Sequence, residues 1–123
     1  MTRTLLIVDD EPEIRAEMAE YLEGKGYRVE PAADGLEALD KFRDIAPDAV
    51  ITDLKMPRCD SFELIRRLRI AHPNLPIVAV AGTYSHEDID RAGALGAQVI
   101  MRKPIKLSEL AEKLRGLLDP AAT

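Results

Sequence analysis

Four residues carry the chemistry this chain could do. Asp9 and Asp10 follow the apolar run "TLLIV" (4–8), Asp53 follows "DAVIT" (48–52) and Lys103 comes just after "AQVIM" (97–101). Carboxylates crowded in a crevice of low dielectric repel one another and resist ionising together. A hard divalent cation relieves that repulsion. Mg2+ suits the task, because it takes a few carboxylate oxygens, a backbone carbonyl and retained waters. A metal, an ammonium and an attacking carboxylate form the set that phosphoryl transfer to an aspartate requires. One aspartate at such a place is as readily a helix or turn cap. Three of them at strand ends, with Lys103 and Pro104 after the last strand, are poorly explained as caps.

Alternating apolar and amphipathic segments must bring these residues together. "TLLIV" is too short and too continuously apolar for a helix and reads as a buried strand. Pro12 suits the first turn of a helix whose inner face carries Ile14, Met18, Tyr21 and Leu22, with "GKG" (24–26) as its end. "YRVEPA" (27–32) is a weaker strand, its proline placing it at an edge or a strand end. Asp34 and Gly35 open a second helix with Leu36, Leu39 and Phe42 inward, stopped by Pro47. A buried strand at 48–52 precedes a third helix, capped by Ser61, with Phe62, Ile65 and Leu68 inward. "IVAVA" (77–81) is the fourth strand, Ser85 caps a short fourth helix to about Leu95, and 97–101 is the fifth strand. The last helix starts near Ser108 and carries Leu107, Leu110, Leu114 and Leu117.

Each strand is followed by a crossover helix, so the expectation is an α/β fold with a parallel sheet covered on both faces. Five units are too few for the usual eight-stranded barrel. The expected architecture is therefore an open, doubly wound (βα)5 sheet. Ligands of such a sheet sit beyond the carboxyl ends of its strands. One domain is expected over 1–119, with 120–123 a tail or the start of a linker.

Bulk properties narrow the functions. Hydrophobic residues make up 46% and charged residues 32% of 123 residues, and the net charge is −5. An acidic chain is a poor direct ligand for nucleic acid, which needs a basic face. No apolar run approaches the ~20 residues of a membrane span. Cys59 is the single cysteine, so a reducing, cytoplasmic setting is the default. His72 and His86 have no partner at metal-ligand spacing, which argues against a zinc site.

Together, "LLIVDDEPEIR", "DGLEALDKF", "PDAVITDLKMPRCDSFELIRRLR", "GALGAQ" and "KPIKLSEL" resemble the receiver domain of two-component response regulators, from about residue 4 to 118. The resemblance implies a flavodoxin-like sheet with strand order 2-1-3-4-5. It also implies that Asp53 is the phosphoacceptor, that Asp10 binds Mg2+ directly and that Asp9 holds a metal-bound water. The Lys55 carbonyl would be a backbone metal ligand, and Lys103 would pair with a phosphoryl oxygen. The implied donor is a histidine kinase or a histidine phosphotransfer protein. The domain would catalyse only its own phosphorylation and slow dephosphorylation. Its output would go to a downstream protein or output domain, and the face of helix 4, strand 5 and helix 5 would also be open to homodimer formation.

Four positions depart from the family pattern. Ala81 stands where Thr or Ser is usual, and Ile100 where Tyr or Phe is usual. Ser61 replaces a common glycine and Cys59 a common methionine. Phosphorylation is therefore better supported than its usual transmission. Gly82 allows close backbone approach, so its N–H can bind a phosphoryl oxygen. Thr83 is a candidate replacement hydroxyl and Tyr84 a candidate mobile aromatic. Coupling is expected to be weakened or rerouted through 82–85. Lys55 reads first as a solvated loop lysine, with a side-chain effect on hydrolysis as the sharper alternative. Cys59 reads as an incidental small residue.

Two other functions compete. A haloacid-dehalogenase-type phosphatase also uses Asp, Lys and Mg2+ on a doubly wound sheet. Its nucleophile, however, follows strand one in a D-x-D pattern, whereas this strand ends in D-D-E with no room for a cap domain. A receiver-fold scaffold working without phosphorylation is kept open by the missing switch residues and opposed by the intact acids and Lys103. A dinucleotide site lacks its G-x-G-x-x-G.

Overall fold

A computed structural model describes residues 2–54, 61–82 and 86–119. Five parallel strands, as the alternation of elements predicts, stand in the order β2-β1-β3-β4-β5 that the family resemblance implies. They are β1 (Thr4–Val8), β2 (Arg28–Ala32), β3 (Ala49–Asp53), β4 (Ile77–Ala81) and β5 (Val99–Arg102). Between them run α1 (Pro12–Gly24), α2 (Gly35–Ile45), α3 (Ser61–Ala71) and α4 (His86–Leu95), with α5 (Leu107–Leu118) last.

Side chains alternate across a strand, so one apolar run serves both faces of the sheet. Leu5 and Ile7 of β1 pack with Met18 and Leu22 of α1 and with Leu110 and Leu114 of α5. Leu6 and Val8 face the other way, into a core with Ala38 and Phe42 of α2, Ile65 and Leu68 of α3 and Ala92 of α4. The central strands β3 and β4 are buried along their whole length. The register pairs Val8 with Ala32 and Thr52, and Ala81 with Arg102. All five carboxyl ends therefore reach the same edge. β2, with Pro31, lies at the sheet's edge as expected.

Local signals set most boundaries. Pro12 occupies the start of α1, and the Asp34 carboxylate caps α2 by accepting the Glu37 N–H at 2.9 Å. Three expectations need correction. Leu36 is 43% exposed, and the inner face of α2 is formed instead by Ala38 and Phe42 with Leu39 beside them. β5 starts at Val99 and not at Ala97, because the Ala97 N–H still bonds back to the Ala92 carbonyl at 3.1 Å and closes α4. Ser61 is the first residue of α3, and its hydroxyl is used elsewhere. The tail at 120–123 and the Ser85 cap lie outside the described residues.

A tie that sequence reading missed closes the amino end of the sheet. The Arg69 guanidinium, at the end of α3, donates to the carbonyls of Leu75 and Gly96, each at 2.7 Å. It also donates to Gln98 Oε1 at 3.0 Å, and that oxygen accepts the Ile77 N–H at 2.7 Å. Gly96 has φ +130°, and a Cβ there would stand 2.6 Å from Arg69 Nε. Gly96→Ala should therefore cost about 1–3 kcal/mol in urea unfolding. Gly24→Ala, where a Cβ meets nothing within 4 Å, should be neutral or stabilising by about 0.5 kcal/mol. Equal midpoints for the two variants would contradict this.

Candidate functional site

β1 delivers Asp9 and Asp10, β3 ends on Asp53, and Lys103 follows β5 directly. The Lys103 ammonium lies 3.0 Å from Asp53 Oδ2 and 3.9 Å from Asp9 Oδ2. The convergence inferred from the strand ends is therefore present. Main-chain bonds hold each member. The Lys103 N–H donates to the Ala81 carbonyl at 2.7 Å, and the Leu54 N–H to the Val80 carbonyl at 3.0 Å. Asp9 Oδ1 accepts the Glu11 N–H at 2.9 Å, and the Asp9 carbonyl accepts from Arg15 of α1 at 2.6 Å. The Lys103–Pro104 peptide is cis.

Two participants were not foreseen. Glu11 Oε1 is 3.7 Å from Lys103 Nζ, so the third acid of "DDE" also faces the ammonium. Arg15 anchors the Asp9 main chain. Neither has a signal in a single sequence, because the side chains' reach depends on how the chain turns after β1. Gly82 is where expected, beside the lysine: a Cβ added there would come 3.9 Å from Lys103 Cδ. A recess of about 490 Å³ opens next to these groups, walled by Ile14, Met18, Val80 and Ile105 and reaching Asp9, Gly82 and Lys103. Lys55, Cys59, Thr83 and Tyr84 lie outside the described residues.

The electrostatics are those of an unfinished site. Asp9 is 1% exposed, and among the described residues its Oδ2 accepts no hydrogen bond. Burial pushes the Asp9 carboxyl above its usual range. Asp53 and Asp10 add to the rise, against the Glu11 N–H and Lys103. Burial works to lower the Lys103 ammonium, but Asp53, Asp9 and Glu11 outweigh it and leave its pKa raised. Asp9, Asp10, Glu11 and Asp53 each bring a carboxylate oxygen within 4.8 Å of the others, a set that could hold a metal ion. An orphaned buried oxygen in an all-carboxylate donor set fits a hard divalent cation. His72 is exposed, with its ring 4.5 Å from that of Phe42, and His86 is exposed at the start of α4.

The raised Asp9 pKa has a sign. Between the ordinary carboxyl value of 3.8 and the raised one, the folded protein holds a proton that the unfolded chain has lost. Metal-free stability therefore falls as pH rises through that window. Asp9→Asn should remove this fall and stabilise the metal-free protein near pH 7 by about 1 kcal/mol. Urea unfolding at several pH values tests it, and parallel pH profiles for the two proteins would contradict it.

Residues 5–115 match the family model for the response regulator receiver domain. The chain is 39% identical over 114 residues to the response regulator MprA of Mycobacterium sp. strain KMS, covering 93% of this chain and 50% of that protein. It thus spans about half the length of the curated relatives it matches. Among solved structures, it resembles the chemotaxis protein CheY4 of Vibrio cholerae, with a TM-score of 0.89 and 32% identity over 96% of this chain and 100% of that one. A CheY-like receiver domain protein from Methanospirillum hungatei superposes with a TM-score of 0.94, at 30% identity over 99% of this chain and 98% of that one. By sequence, by strand order and by the acids and lysine gathered at one sheet edge, this chain belongs to the receiver domain family of two-component response regulators.

Proposed function

We propose that Asp53 is the phosphoacceptor of this receiver domain and that Lys103 and a bound Mg2+ prepare it. The observation that carries this is the 3.0 Å contact of Lys103 with Asp53, beside the buried Asp9 Oδ2, which accepts no hydrogen bond among the described residues. Asp53 is 4% exposed, so its carboxylate works where charge is poorly screened. One carboxylate oxygen forms the new P–O bond, and the donor's bond to phosphorus breaks, the leaving group keeping the electron pair. With a histidine kinase or phosphotransfer protein that broken bond is P–N; with acetyl phosphate it is P–O. The acceptor gives up no proton, because it attacks as the carboxylate. The lysine ammonium would bind a transferred phosphoryl oxygen, with the Gly82 N–H as a further donor. Asp9, Asp10, Glu11 and Asp53 would hold the Mg2+, with the Lys55 carbonyl as a further ligand. The bound metal would neutralise phosphoryl charge as it moves.

The domain then works as a phosphorylation-controlled binding module that turns over only its own phosphoryl group. Its output is a changed contact with a downstream protein or output domain, for which the face of α4, β5 and α5 is the candidate surface. Such a module has its natural setting in the cytoplasm, where the donor's phosphohistidine is made.

A second reading draws on Ala81, which is fully buried and has no hydroxyl to follow a phosphoryl group. A scaffold binding its partner without phosphorylation would be built this way. One experiment separates the two. With radiolabelled acetyl phosphate and Mg2+, the protein should take up label stable to brief gel filtration. Asp53→Ala should take up none, and Lys103→Met should lower the rate by about 100-fold. An unlabelled wild-type protein that does not bind Mg2+ would favour the scaffold. In the absence of donor, Mg2+ at 100 times its dissociation constant should stabilise the fold by about 2.7 kcal/mol. That gain should vanish in Asp9→Asn.

A further inference from the structure

Asp53 is the last residue of β3, one position past the final β1–β3 pair of Val8 with Thr52. The pairing with β1 has ended there, and only β4 still flanks the residue whose carboxylate must be aimed. Its main-chain carbonyl accepts two side-chain hydroxyls: Ser61 Oγ at 2.5 Å and Thr52 Oγ1 at 3.1 Å. Both donors are fully buried. Ser61, at the first position of α3, uses its hydroxyl to reach back to the acceptor strand. The other end of the same peptide unit is also held, since the Leu54 N–H donates to the Val80 carbonyl at 3.0 Å.

A peptide unit is planar, so fixing its C=O and its N–H fixes the whole plane. That plane sets ψ of Asp53 and hence the direction of its Cα–Cβ bond relative to the sheet. Two bonds further out is the carboxylate that meets Lys103 at 3.0 Å. Thr52 is the neighbour of Asp53 and moves with it. Ser61 belongs to a different element and supplies an external reference. A buried hydroxyl without such a partner would cost stability for nothing.

We infer that Ser61 is a positioning residue for phosphoryl transfer to Asp53. Its hydroxyl, acting through the 53–54 peptide, holds the carboxylate on the line of attack. This rests on the assignment of Asp53 as phosphoacceptor. In the step concerned, the Asp53 carboxylate forms the new P–O bond while the P–O bond to acetate breaks and acetate leaves with the electron pair. Ser61 neither gains nor loses a proton.

The test uses Ser61→Ala and Ser61→Gly with acetyl phosphate at saturating Mg2+, following the rate of radiolabel uptake against donor concentration. Both variants lose the hydroxyl, but they differ in helix propensity and so in stability. Misaiming a reacting group by a fraction of an ångström should lower the maximal rate about tenfold in both variants alike. The half-saturating donor concentration and the Mg2+ midpoint should stay at their wild-type values. Wild-type maximal rates in both variants, or a change confined to half-saturation, would overturn the inference alone. So would rates that follow the two variants' different unfolding midpoints, which is the signature of a purely structural serine. A wild-type protein that takes up no label would overturn the phosphoacceptor assignment, and this inference with it.

Discussion

One ammonium among crowded carboxylates is the constraint on which the site depends. Lys103 faces Asp53, Glu11 and Asp9 at 3.0, 3.7 and 3.9 Å, at the open edge of a sheet whose interior is almost wholly apolar. The apolar strands make each charge matter, because Asp9 and Asp53 are buried beside them, where charge is poorly screened. Burial is the main cause of the rise in the Asp9 pKa, and the neighbouring Asp53 and Asp10 charges add to it against the Glu11 N–H and Lys103. The fold accepts a destabilised corner, and the carboxylates gathered there could hold a metal ion.

The lysine is set by the backbone around it as much as by the acids. Its N–H is held by the Ala81 carbonyl, and its stem passes beside Gly82. Ala81 therefore serves the site through its main chain. Its methyl group belongs to the core under α2, α3 and α4, with Ala79, Ala92 and the half-buried Ile100. Gly93 of α4 leaves room there, since a Cβ on it would come 3.7 Å from Ile100 Cδ1. Where many receivers place a hydroxyl and an aromatic ring, this one has a closely packed apolar contact between β4, β5 and α4. The arrangement keeps the family's acids and lysine at the sheet edge and departs from its pattern next to α4.

The parallel sheet and the convergence of the four charged residues were legible for one physical reason. Short continuous apolar runs alternating with amphipathic segments read as buried parallel strands, and parallel strands put their ends together. Features that depend on how far a side chain reaches were out of range. Ser61 was expected to cap its own helix, as serine at a helix start commonly does, but burial next to β3 gave its hydroxyl a better partner in the Asp53 carbonyl. Arg69 carries no signal of its own in "RRLR", yet it gathers carbonyls from two loops. Leu36 satisfied the helical period but falls on the flank of α2 that the sheet does not cover. Ala97 read as strand because it is small and apolar, while the positive φ of Gly96 keeps it in the turn that closes α4.

The central claim is that this corner is built to hold a phosphoryl group on Asp53 with a metal beside it. Fluorine NMR of the protein with beryllofluoride, with and without Mg2+, tests it most directly, because the fluoride complex takes the shape and charge of the bound phosphoryl group. Bound fluoride resonances should appear only when Mg2+ is present and should be absent in Asp53→Ala, with amide shifts at Ala81, Gly82 and Lys103. No bound signal in the wild-type protein, or signals that persist in Asp53→Ala, would contradict it.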